Sequence, residues 1–108
     1  MPLYKTIKIN SQTNVKIWHI TESVDDLMQS VDLKNESTAR VQSMKSELHQ
    51  RGFLSVRLLL KAFGYSDYDL FYDKNGKPHL KDGRFISITH SYTYSAVVVS
   101  AQLVGIDI

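Results

Sequence analysis

An α+β domain, with one long helix packed on a small antiparallel sheet, is the architecture predicted by these 108 residues. Three observations predict it. Residues 3–9 and 15–20 are rich in β-branched and aromatic side chains and flank a turn-forming run, Asn10-Ser11-Gln12-Thr13-Asn14, so they form a hairpin. Apolar side chains recur at helical spacing between residues 37 and 63. Beyond residue 84, three apolar strand-like segments follow in quick succession.

Each element has a local reason. Ser23 stands three residues before Asp26, spacing that allows a side-chain cap on a short helix over about 24–31. In the long helix, Val41, Met44, Leu48 and Ser55 fall near one face, and Phe53, Val56, Leu60 and Phe63 recur at helical spacing. Apolar residues become denser after Gly52, so the second half is expected to be the more buried. The polar first half, 36–50, is expected to fray or break in two. Gly64 ends the helix by taking the left-handed conformation. Leu70-Phe71-Tyr72 reads as a short strand and Asp73-Lys74-Asn75-Gly76 as a tight turn. Strands are then expected over 85–89, 94–101 and 104–108. Ala96-Val97-Val98-Val99 shows no alternation, which suggests a central strand covered on both faces. No repeat, low-complexity run or linker divides residues 1–108, so they form a single unit.

Composition narrows the function. An ordinary apolar fraction of 43% with 22% charged residues argues for a folded chain. Thirteen Lys and Arg against eleven Asp and Glu leave a net charge of +2, a weak argument for an anionic partner. The absence of cysteine excludes disulfides, thiolate catalysis and Cys-type zinc sites. The start lacks the apolar run of a signal peptide and no segment is long enough to span a bilayer, so a soluble, cytoplasmic protein without a membrane partner is expected. The aromatics are scattered and no basic cluster interleaves with them, which speaks against nucleic acid. Gly-x-Ser-x-Gly, the P-loop and Gly-x-Gly-x-x-Gly are all missing.

A few residues are less easily explained as packing. Asp107 sits in an apolar segment, Val104-Gly105-Ile106-Asp107-Ile108, where strand alternation turns it away from the apolar face. It is either a solvated strand-end carboxylate or one ligand of a hard cation such as Mg²⁺, which one Asp cannot hold alone. His90 shares a strand face with Ile86 and Ile88, and is flanked by the hydroxyls of Thr89 and Ser91. A satisfied core histidine is the plain reading, and a phosphate contact is the functional one. His19, His49 and His79 have no comparable company. Lys77, between Gly76 and Pro78, is either a solvated turn lysine or an ammonium held rigidly beside a phosphate or base edge. Arg57 and Lys61 share a helix face, and a solvated face is expected for Lys61.

Four motifs then stand in order: Arg51-Gly52-Phe53-Leu54-Ser55-Val56-Arg57, Gly76-Lys77-Pro78, Ile88-Thr89-His90-Ser91 and Val104-Gly105-Ile106-Asp107-Ile108. In order and spacing, residues 45–108 resemble the first half of a 4′-phosphopantetheinyl transferase of the surfactin-synthetase-activating type. That family is a pseudo-dimer of two similar α+β halves, so residues 1–108 are expected to be one N-terminal half-domain. Thr89 stands where the family usually has Ser, which keeps the hydroxyl. The sequence stops at Ile108, one residue before the family's Glu. Its second half carries a further acidic metal ligand and a Trp-x-x-Lys-Glu helix with the proposed general base, which is therefore expected beyond residue 108.

The resemblance implies Mg²⁺-dependent transfer of 4′-phosphopantetheine from coenzyme A to a serine of an acyl- or peptidyl-carrier protein. It implies that Gly76, Lys77 and Pro78 lie near the adenine and its ribose phosphate. Thr89 and His90 contact phosphates on this reading, Arg51 shapes the nucleotide end, and Asp107 binds the metal. Lys34, Arg40 and Lys45 are candidates for the 3′-phosphate. Residues 1–108 alone are expected to be inactive, and to form a homodimer or larger assembly through a half-interface exposed around Val97, Val99, Val104 and Ile106. The alternatives are a non-catalytic coenzyme A- or protein-binding module and a plain oligomerising domain.

Overall fold

β-branched alternation builds the first element as expected. The computed structural model describes residues 3–91 and 93–101, and in it strand β1 (Leu3–Asn10) turns at Ser11 and Gln12 into β2 (Thr13–His19). The turn is tighter than the five residues expected. Asn10 folds its Oδ1 back to accept the Gln12 amide at 2.8 Å, which lets Asn10 and Thr13 pair directly.

The central helix carries the fold. Helix α1 (Val24–Ser30) starts at Ser23, whose hydroxyl accepts the Asp26 amide at 3.2 Å. The expected long helix is two helices, α2 (Asn35–Ser43) and α3 (Glu47–Ala62). The break between them contains neither Pro nor Gly. Ser46 caps α3 by accepting the His49 amide, while the Gln50 side-chain amide reaches back to the carbonyls of Val41 and Met44 at 3.1 and 3.0 Å. Both ends are thus satisfied, which makes the break affordable in backbone hydrogen bonds. Gly64 follows at φ 90°, as expected of a helix terminator.

Helix α3 is buried over every residue from Gly52 to Leu60. One side lies on a four-stranded antiparallel sheet of order β1-β2-β6-β5, with β5 (Phe85–His90) and β6 (Tyr94–Ser100). On that side Trp18, Ile86, Val97 and Val99 join Leu54 and Leu59 in the core. Helix and strand are also pinned by polar atoms, since the Ser55 and Ser95 hydroxyls lie 2.6 Å apart and Ser55 donates to the Gly52 carbonyl at 2.9 Å. Leu27 of α1, Val41 of α2, and Leu70 and Leu80 complete the same core. The last two belong to a separate ribbon of β3 (Leu70–Tyr72) and β4 (Pro78–Leu80). Strand β4 was not legible in the sequence, being three residues long and headed by Pro78. The domain is α+β, as predicted.

Strand β6 is central and buried on both faces, as its unbroken apolar run suggested. That burial overturns part of the expected dimer surface. Val97 and Val99, at 0% and 3% exposure, lie in the core against α3 rather than on an open face. Val104 and Ile106, with the expected strand over 104–108, lie outside the described residues.

The end of α3 is tied to the turn before β5 by Tyr65, whose hydroxyl donates to Asp82 Oδ2 at 2.5 Å. Burial and the neighbouring carboxylate raise the Tyr65 pKa, and the same hydrogen bond lowers that of Asp82. A depressed carboxylate stabilises the fold above its unfolded pKa, and that stabilisation fades as pH falls through the folded value, below 3.8. A raised phenol stabilises below its unfolded value of 10.0, and the gain is lost as pH rises through the folded one. Tyr65→Phe should therefore lower stability throughout the neutral range and flatten both limbs, as read by urea midpoints from pH 3 to 11. Equal losses at every pH, including beyond both limbs, would rule this bond out as their source.

Candidate functional site

His90 ends β5 with its ring laid on the first turns of α3. The close approach is possible because residue 52 is glycine: a Cβ built there would sit 3.1 Å from His90 Nδ1. A glycine inside a helix costs about 1 kcal/mol relative to alanine. Here the cost is offset by the space it leaves for an imidazole, whose outer surface stays exposed. Arg51, which precedes Gly52 in α3, donates from Nη2 to the Ile20 carbonyl at 3.0 Å. Arg51 Nε is buried with no hydrogen-bond partner among the described residues. An unsatisfied buried N–H is costly, so the Arg51 stem is held here by packing and by the Ile20 carbonyl rather than by a full set of hydrogen bonds.

Thr89 diverges from its neighbour. It pairs with Ala96 on the sheet face opposite α3, whereas His90 lies on the α3 face. The two adjacent residues are therefore not gathered on one surface, and a ligand touching both has to wrap the end of β5.

Gly76, Lys77 and Pro78 form the tip and first residue of the β3–β4 ribbon. Gly76 takes φ 81°, which the tight turn requires. The turn is held by Asp73, whose Oδ1 accepts the amides of Asn75 at 2.8 Å and Lys77 at 3.0 Å. Its Oδ2 lies 2.9 Å from His79 Nε2. The His79 ring stacks on Phe71 with centroids 5.3 Å apart. His79, then the Lys77 and Asn75 amides, hold the Asp73 carboxyl below its ordinary pKa.

Lys77 and Pro78 line a cleft of about 270 Å³ between the ribbon and the start of β5, together with Phe71, His79, Arg84 and Phe85. Two cations and three rings in one cleft suit a flat anionic ligand. This cleft joins the turn to the start of β5, while His90 meets Gly52, the neighbour of Arg51, at the far end of that strand. The six predicted contacts thus fall into two groups, plus Thr89 on the other face.

Of the residues suggested for the 3′-phosphate, Lys34 and Arg40 line a separate groove with Phe71 and Tyr72, and Lys45 is exposed. Lys34 is partly committed, since its Nζ donates to the Leu70 carbonyl at 2.5 Å. Arg40 lies 5.7 Å from the Tyr72 ring centre. Arg57, the second arginine of the first motif, is a structural residue: it is buried against Phe53 at 3.7 Å and pairs with Asp67 at 3.1 Å. Lys61, four residues on, is exposed as expected.

Asp107 lies outside the described residues. Among the described residues no three acidic or histidine side chains gather to hold a metal ion, and no helix is long and apolar enough to cross a membrane. Arg84 was not singled out in the sequence, Asp73 was read only as a turn residue, and Gly52 only as a motif position. A glycine amid helical spacing was the one available signal, because such a glycine often marks a close approach. No protein-family model matches the chain, and a search of curated proteins finds no relative.

Proposed function

We propose that this chain supplies the coenzyme A-binding part of a 4′-phosphopantetheinyl transferase that modifies a carrier-protein serine. The observation that carries the reading is the corner of Arg51, Gly52 and His90. Two motifs 38 positions apart meet there, with a helix glycine making room for an exposed histidine next to the arginine that precedes it in the chain. The contact packs β5 on α3 and at the same time leaves an imidazole exposed at the helix surface, where it suits an anionic group. The cleft beside Gly76, Lys77 and Pro78 adds rings and cations that suit adenine and its ribose phosphate.

On this reading His90 and Arg51 donate to phosphate oxygens, Thr89 offers a hydroxyl from the end of β5, and Lys77 neutralises charge at the nucleotide end. Phosphoryl transfer asks for positioning and charge neutralisation more than covalent chemistry from the protein. Mg²⁺, when bound, would neutralise the pyrophosphate, with Asp107 as the ligand this sequence offers. The serine attacks the β-phosphorus, its proton leaves to a general base, and 3′,5′-ADP departs.

Titration of the ¹⁵N-labelled chain with coenzyme A is the direct test. Weak binding is expected, with shifts at Arg51, His90 and Lys77 and little dependence on Mg²⁺. His90→Ala and Lys77→Ala should each weaken it by about 1.5–3 kcal/mol, the scale of a charge-assisted hydrogen bond. Shifts confined to other surfaces, or no binding at all, would sink the reading and leave an oligomerising or structural module.

A further inference from the structure

The Lys77 ammonium ends a flexible four-carbon stem, and such a group is useful in a site only if its backbone is held. Half of the hydrogen bonds within the turn come from one side chain. Asp73 accepts the amides of Asn75 and Lys77 and meets His79 through its second oxygen. Its own backbone adds two bonds, Asp73 N–H to the Lys77 carbonyl at 3.0 Å and Gly76 N–H to the Asp73 carbonyl at 2.9 Å. The carboxylate can only accept, so His79 donates its Nε2–H and the ring is fixed against Phe71. One carboxylate thereby orders both the turn that carries Lys77 and an aromatic wall of the cleft that Lys77 lines.

We infer that Asp73 is a positioning residue for this cleft, fixing Lys77 and the His79–Phe71 wall before a ligand arrives. The inference rests on reading Lys77 as a ligand contact, and it adds a residue that touches no ligand itself. Its effect is to remove the ordering cost that a free lysine turn would add to binding.

Two substitutions separate capping from charge. Asp73→Asn keeps an oxygen that can accept from the Asn75 and Lys77 amides, and Asp73→Ala removes it. Amide hydrogen exchange reads the turn directly, and titration with coenzyme A and with adenosine 3′,5′-bisphosphate reads the site. The remaining ¹H–¹⁵N resonances report whether the fold persists. Asp73→Ala should speed exchange at the Asn75 and Lys77 amides and weaken both ligands by about two- to tenfold, the cost of ordering one long side chain. Asp73→Asn should restore slow exchange and most of the affinity. If Lys77→Ala weakens binding while Asp73→Ala changes neither readout, the positioning role is wrong and the site reading stands. Failure of Asp73→Asn to restore affinity despite slow exchange would also overturn it. If Lys77→Ala has no effect, or the native chain binds neither ligand, the site reading falls and this inference falls with it.

Discussion

Arg57→Ala should destabilise the domain by about 3–5 kcal/mol, the loss typical of a buried ion pair left with one charge. The Arg57 and Asp67 side chains are 4% and 1% exposed, and they meet at 3.1 Å. Removing the guanidinium leaves the Asp67 carboxylate buried with the Lys34 amide as its one remaining hydrogen-bond partner among the described residues, and takes the cation from the Phe53 ring. The loss is a penalty for isolation rather than a measure of what the pair contributes. Arg57→Met combined with Asp67→Asn should therefore cost less than Arg57→Ala alone, because no charge stays buried and the Lys34 amide keeps an acceptor. Urea unfolding at neutral pH checks both. A single-variant loss below about 1 kcal/mol would mean that water reaches the pair.

Leu59→Ala should cost about 2–5 kcal/mol, the range for truncating a buried leucine. Leu59 is fully buried in the middle of α3, a helix surrounded by the sheet, the two short helices and the β3–β4 ribbon. With neighbours on every side, the walls have little freedom to collapse into the space. The same change at exposed Lys61, two residues on, should stay within about 0.5 kcal/mol. If Leu59→Ala unfolds at the native urea midpoint, α3 is not the packing centre of this domain.

Much of this architecture was legible because its signals are local. Alternation wrote the hairpin, Ser23 with Asp26 wrote the start of α1, and the unbroken valines of β6 wrote its burial on both sides. The break at 44–46 was only half legible. Polarity suggested a weak first half, but the link that stabilises the break is the Gln50 side chain folding back on carbonyls six and nine residues earlier. Arg57 was the harder case. It shares a helix face with Lys61, for which a solvated position was expected, and nothing local marks Arg57 as buried; only the position of Asp67 in the fold does. At the candidate site the residue types were readable and their grouping was not. Strand alternation predicted that Thr89 and His90 point apart, whereas which helix His90 would meet depended on the packing of β5 against α3.

The order of the strands also governs how the chain folds. β6 pairs with β2 on one side and β5 on the other, so the sheet is closed by its last described strand. Thr13 and Ser100, whose hydroxyls lie 2.6 Å apart, are separated by 87 positions. The N-terminal hairpin is local and can form within microseconds. Its inner edge must then wait for a partner from the far end of the sequence, and that loop closure is entropically costly. Folding is accordingly set by a long-range search, with rates nearer those of β-rich domains than of helical bundles. During synthesis the apolar inner edge of β2 emerges early and stays unpaired until β6 leaves the ribosome, which makes that interval the one most exposed to association with other chains.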